Sequence, residues 1–391
     1  LLARASFIEQ SICVLEVSRT LGCSAMDAFR RVALPLARPA IIVGLSLVLM
    51  ETLADYGTVQ YFGVSAFTTG IFRTWFGMDN SLVAAQLSAI LLLFVVVFLY
   101  LERRSRKQLA FHHTSNRYSP LLKQKLKSSS AFFAFVICFT PLLFGFILPA
   151  SFLGEWAIST YSEALDIDFY ILLLNSLSLA FITALLALVI ALFLGYMNRN
   201  SHLFINRFLV RFISLGYAIP GTVIAVGVLI PFAWFDNRLD EFLTLHFNFS
   251  SGLLISGTLF ILIFAYLVRF LAVSINTVEA ALEKIKLEMD EVAKTAGMSH
   301  VSIMRRIHVP IMRGSLLTAL LLVFVDVLKE LPATLILRPF NFNTLAVRTF
   351  ELANEERLAE AAVPALAIVI AGIIPVIMIS NSISRSRPGY E

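Results

Sequence analysis

The chain has 391 residues, 58% of them hydrophobic and only 15% charged, with a net charge of +5. A soluble domain carries about a quarter charged residues, and its helices show a polar stripe that segments such as LLISGTLFILIFAYLVRFLAV lack. A soluble globular protein is therefore excluded, and so is a disulfide framework or zinc site, because Cys13, Cys23 and Cys138 form no CxxC or metal-ligand spacing.

The apolar residues come in runs of about 20, the length that crosses ~30 Å of hydrocarbon. Eight spans are predicted, at 39–58, 81–101, 131–150, 170–196, 210–234, 252–274, 314–336 and 363–383. The joining segments alternate in charge. Segments 1–38, 102–130, 197–209, 275–313 and the tail with Arg385 and Arg387 carry the Lys and Arg, whereas 59–80, 151–169, 235–251 and 337–362 are poor in them. The positive-inside rule places the first class, and with it the C-terminus, in the cytoplasm. The fold class expected is an all-α polytopic membrane protein. The basic linker 102–130 reads as a cytosolic connector near anionic headgroups, with no fold around its charges to bind nucleic acid.

Two cytosolic segments repeat each other. EVSRTLGCSAMDAFRRVALPLARPA begins at Glu16, and EVAKTAGMSHVSIMRRIHVPIMRGS begins 275 positions later at Glu291. At the same offset Glu51 meets Asp326, Asp55 meets Glu330, Thr69 meets Thr344, and Arg73 in RTW meets Arg348 in RTF. Six predicted spans separate the copies, so both lie on one side of the membrane, in a parallel rather than an inverted repeat. The division expected is 1–101 as the end of a first repeat with its loop at 9–38, 102–130 as linker, and 131–391 as a second six-span repeat with its loop at 276–313. By the same offset, four spans and roughly 145 residues are expected before Leu1, for a six-plus-six architecture.

Each loop predicts a short helix, a glycine turn and a second helix. Met289, Val292, Ala293 and Ala296 share a face, as do Val14, Val17, Ser18 and Leu21. Gly22 and Gly297 stop the first helix. Ser24, with Asp27, and Ser299 cap the second, and Pro35 and Pro310 are expected to break it before the next span. So short a helix needs a partner for its apolar face. The bland alternative is a helix lying on headgroups; two copies with the same spacing favour a two-fold docking site for a partner with two equivalent knobs, such as a homodimer.

The pattern Glu16–Ser18–Gly22 and Glu291–Ala293–Gly297 resembles the EAA loop of permease subunits in binding-protein-dependent ABC importers. Ser18 stands where that family prefers Ala. The stretches ETLADYGTVQYFGVSAFTTGIFRTWFG and KELPATLILRPFNFNTLAVRTFELA look like the fused permeases of ferric-iron importers. The resemblance implies a type I importer fold, a coupling helix in each loop seated on a homodimeric cytosolic ATPase, a periplasmic solute-binding protein, and residence in a bacterial inner membrane. Related fused permeases carry thiamine, phosphonate or polyamines instead. An ATPase-independent secondary transporter and a non-transporting scaffold are the remaining alternatives.

Glu51 and Asp55 are four apart, hence on one helix face near the outer surface, and Asp326 and Glu330 repeat them. Ionisable groups in a span face a bundle interior or a pathway, so these four are candidates to line a cation route. Oxygen ligands suit a hard cation. The structural alternative pairs Lys329 with Asp326 and leaves the carboxylates accepting hydrogen bonds. Arg73 and Arg348 are candidates for an outer gate or binding-protein contact, or else interfacial anchors. Pro220 and Pro332 are expected to kink or end helices. The chain has no GxxxxGK[ST], HExxH or GxSxG, so no cofactor or catalysis is expected of it; ATP and magnesium would belong to the partner subunit.

Overall fold

The computed structural model describes residues 7, 17, 18, 20–107, 126, 128–200 and 203–385. Glu16, most of the basic linker and the last residues of the tail lie outside the described residues. Among the described residues every regular element is helical. In chain order these are α1 (Leu34–Ala54), α2 (Gly57–Tyr61), α3 (Phe67–Phe72), α4 (Ser81–Lys107), α5 (Ser128–Leu142), α6 (Leu148–Ala164), α7 (Ile167–Asn200) and α8 (Phe204–Ile213). There follow α9 (Gly221–Phe247), α10 (Leu259–Leu282), α11 (Leu287–Thr295), α12 (Val309–Leu328), α13 (Pro332–Leu337), α14 (Leu345–Asn354) and α15 (Leu358–Arg385). Among the described residues seven helices are long and apolar enough to cross a membrane, or eight if the bent pair Met26–Arg38 and Ala40–Ala54 counts as one span.

Two compact units form, one from Leu1–Ala54 with Ile90–Ile147 and one from Asp55–Ala89 with Leu148–Glu391. Packing units and sequence repeats are thus different partitions of the chain. In the second unit α7, α10 and α12 pack against one another, and α15 adds contacts to α6, α12 and α14. The sequence permits the close approach of α7: Ala180, Ala184, Ala187, Ala191 and Gly195 form a buried stripe of small residues. Such stripes let helix backbones come together where lipid removes the hydrophobic drive. A Cβ on Gly195 would stand 3.1 Å from Val278 of α10. Ile261, Leu262, Tyr266, Phe270 and Ile275 of α10 fill the centre.

Several span boundaries differ from those expected, each for a local reason. The expected span 210–234 divides. Its first part belongs to α8, a ten-residue amphipathic helix, and the crossing begins only at Gly221. Pro220 occupies the position before α9 and Pro332 the first position of α13, so both start helices rather than kink them. Proline suits that place because its missing N–H is one a helix start leaves unbonded anyway. The expected span 252–274 shifts to α10, which starts where the Thr258 hydroxyl accepts from the Phe260 N–H. The expected span 314–336 stops at Leu328.

Nor do Pro35 and Pro310 break their helices. Each lies just past a π turn, Phe29–Ala33 and Met304–His308, that runs on into α1 and α12. The Leu34 N–H bonds the Phe29 carbonyl and the Val309 N–H bonds the Met304 carbonyl, five residues back in both cases. The wider turn carries the chain past the proline, whose ring and missing N–H would interrupt a regular α ladder.

Candidate coupling loops and membrane corner

The two EAA-like loops, each viewed within its own unit, have the same local geometry. Thr20 donates its hydroxyl to the Val17 carbonyl at 2.8 Å, and Thr295 does the same to Val292 at 2.8 Å. Gly22 and Gly297 then take φ of +82° and +80°, the left-handed region in which a Cβ is strained. The next N–H reaches back over the turn, from Cys23 to the Ser18 carbonyl and from Met298 to the Ala293 carbonyl, at 3.0 Å in each. The hydroxyls of Ser24 and Ser299 accept from the N–H three residues on, at 3.2 and 3.3 Å. Ser24 also donates to Asp27 at 2.5 Å.

The inward face of these helices is narrower than expected. Among the described residues of the two expected faces, only the small Ser18 and Ala293 are buried; Val17, Leu21, Met289 and Val292 are exposed, Val292 at 67%. A small side chain lets a short helix lie close to its bundle, and the branched residues are left pointing away. Glu291 is exposed as well, as are Pro35 and Pro310. Nothing lies within 4 Å of a Cβ built on Gly22 or Gly297, so the space beyond both turns is open.

In the second copy α11 is also tied down by charge. Asp290 accepts from Arg199 Nε at 2.8 Å and bonds His308 Nε2 at 2.6 Å. Arg199 sits in the last turn of α7 and also donates to the carbonyls of Leu282 and Ile285, at 2.6 and 2.9 Å. Asp290 and His308 are 3% and 1% exposed. Burial pushes the Asp290 carboxyl up, but the hydrogen bonds from Arg199 and His308 outweigh it and hold the group below the usual carboxylate range. Sequence reading missed this cluster. Arg199 counts there only as one of several cytosolic cations, and its partner stands 91 residues away.

The acidic residues have different local partners. Asp326 lies 3.2 Å from Lys329 in an ion pair, as the structural alternative anticipates. Glu330 is 5% exposed and forms a buried ion pair with Arg269 of α10. It also accepts from the Ala333 N–H at 3.2 Å, just as Asp55 accepts from the Thr58 N–H at 3.3 Å. The repeat-related carboxylates therefore each hold the start of a short helix, α13 and α2. Glu51 is exposed and Asp55 half-buried. Arg269 is a second residue missed from sequence; its signal is a lone cation inside an apolar span, which must find a partner.

These corners approach each other. Within the second unit Tyr56 stacks on Phe72 at 3.7 Å between centroids and meets Phe350 at 5.4 Å. A Cβ on Gly57 would stand 3.1 Å from Leu331, and Leu331 is the repeat counterpart of Tyr56. The repeat-related segments that follow Asp55 and Glu330 thus pack together. Arg348 lines a cavity of about 340 Å³ with Asp166, Asp168, Asn175 and Glu360. Arg73 is exposed.

The chain matches the family model for the inner membrane component of binding-protein-dependent transport systems over residues 9–107 and 187–387. It is 26% identical over 370 residues to the Fe(3+)-transport system permease protein FbpB 2 of Haemophilus influenzae, covering 94% of this chain and 70% of that protein. It is also 26% identical over 246 residues to a putative 2-aminoethylphosphonate transport system permease protein of Salmonella typhimurium, covering 63% of this chain and 84% of that one. Among solved structures, a bacterial ABC transporter for import of the acidic polysaccharide alginate aligns with a TM-score of 0.50 at 13% identity, covering 67% of this chain and 96% of that one. With most of its length matched in two stretches, this multi-pass membrane protein belongs to the family of inner-membrane permease components of binding-protein-dependent transport systems.

Proposed function

We propose that the chain is the transmembrane permease of an ATP-driven importer and that its solute is ferric iron. The observation that carries the reading is the two-fold loop: in each copy a valine is held outward, a small residue inward and a glycine turn open, with the same hydrogen bonds. Exposed branched side chains on a short surface helix call for a protein partner. A homodimeric ATPase on the cytoplasmic side offers two equivalent grooves. Closure of that dimer would draw the loops around Glu16 and Glu291 together and rock the halves between outward and inward access. Solute would arrive on a periplasmic binding protein, with Arg73 and Arg348 as outer contacts and the C-terminus in the cytoplasm.

The choice of ferric iron rests on the likeness to iron permeases and on the repeated acidic residues Glu51, Asp55 and Asp326 within the spans, since hard cations take oxygen ligands. Glu330, committed to Arg269, would shape the packed corner rather than touch the ion. The phosphonate relative supports a second solute class, an anion, for which the same carboxylates would be repulsive. Uptake into vesicles separates these readings: ferric iron on its binding protein should enter only with ATPase subunits and ATP present. Uptake without any ATPase would favour a secondary transporter, and no uptake at all a scaffold. Bulky replacements of Gly22 and Gly297 should abolish ATPase attachment; if attachment and uptake both survive, the coupling role is wrong.

A further inference from the structure

One buried carboxylate joins four elements of the second repeat. Asp290 on α11 is held by Arg199 from the end of α7 and by His308 from the π turn that leads into α12. The same Arg199 guanidinium bonds the carbonyls of Leu282 and Ile285 at the end of α10. Beside it, Asn198 of α7 donates to Glu279 of α10 at 2.7 Å. A push on α11 is therefore received at once by α7, α10 and α12, the three helices that form the centre of this unit.

The first copy does not repeat the carboxylate or the imidazole. By the repeat offset, Leu15 stands where the second copy has Asp290, and Ala33 where it has His308. The glycine turns, hydroxyl bonds and π turns correspond, yet the sequence positions of Asp290 and His308 hold apolar residues in the first copy.

We propose that the two coupling loops are mechanically unequal, and that Asp290, Arg199 and His308 are positioning residues which make the second loop and its helices move as one rigid body. The proposal rests on the importer reading above. The loop facing the ATPase would be presented without the anchor, because the Gly297 turn and the outward Val292 do not depend on it. What the anchor adds is transmission. A buried charged cluster is a poor source of stability, since well-packed apolar residues replace such clusters at little or no cost. Its value lies in fixing one geometry, because a displaced partner would leave a charge buried and unpaired.

The test follows from that distinction. In the full natural transporter, Arg199→Met, Asp290→Leu and His308→Ala together make the anchor apolar, the last two with the residues of the first copy. Spin labels at exposed Glu288, on α11, and exposed Tyr170, near the outer end of α7, report the distance between them. In the natural protein that distance should stay constant between the ATP-free and the ATP–vanadate states. In the triple variant it should shift or broaden, and ferric iron taken up per ATP hydrolysed should fall about tenfold while the ATPase subunits stay attached. Wild-type stoichiometry with an unchanged distance in the variant overturns the proposal. Should the triple variant fail to fold, the uncharged polar pair Arg199→Gln with Asp290→Asn is read in the same two measurements. If the natural protein itself binds no ATPase, the importer reading fails instead, a result visible before any variant is made.

Discussion

Arg269 and Glu330 close on each other across 61 positions of sequence, and Gly221 provides the space for them. A Cβ at Gly221 would collide with Glu330 Oε1 and stand 2.6 Å from Arg269 Nη1. Both partners are buried, so neither can turn to water. Glu330→Gln is expected to destabilise the protein by about 3–5 kcal/mol, because it strands a buried guanidinium. Gly221→Ala should lower the thermal midpoint as well, by forcing the pair apart, while Arg269→Met combined with Glu330→Gln should recover most of the loss. Thermal unfolding in detergent reads all three; equal midpoints for the single and double variants would contradict the pairing.

Gly297 tests backbone strain apart from crowding. Its φ is +80° and no atom lies within 4 Å of a Cβ placed there. Gly297→Ala should therefore cost about 1–2 kcal/mol through the left-handed conformation alone. Gly297→Asn should cost less, since Asn enters that region more readily. The order Gly, Asn, Ala, Val in midpoint temperature is expected. A value for Ala at or above that of Asn would show that the turn relaxes elsewhere.

Asp290 predicts an acid dependence of defined sign. Its carboxyl is held low in the folded protein. A depressed native pKa gives stability that is complete above the unfolded value, ~4, and is lost as pH falls through the lower native value. The gap in midpoint between the natural protein and Asp290→Asn should thus be present near pH 5 and shrink toward about pH 3. A gap that widens on acidification would reverse the assignment.

The helix α8 carries a ladder of Phe204, Phe208 and Phe212, stacked at 6.4 and 6.2 Å between centroids and exposed along its length. Arg211 lies on the adjoining edge. Joining two spans, such a helix should lie in the interface with its rings among the acyl chains and the Arg211 cation at the headgroups. Fluorescence of Phe208→Trp should be quenched by lipids brominated near the headgroup and much less by lipids brominated at the chain end. No quenching by either lipid would place this face against protein.

The sequence alone determined that the chain crosses a membrane many times, because hydrocarbon thickness converts directly into a run length that composition reveals. It determined the internal repeat too, and through it the glycine turns and serine caps, since each rests on residues within a few positions of one another. Prolines were harder: the same ring ends a helix, starts one or follows a π turn, and only the surrounding hydrogen bonds of Pro220, Pro310 and Pro332 distinguish these outcomes. The tertiary structure alone decided the charged sites. Glu330 was placed with Arg269, and Asp290 with Arg199 and His308, by the packing of α7, α10 and α12. A buried charge must find its counterpart wherever the fold brings one, and chain distance carries no record of that choice.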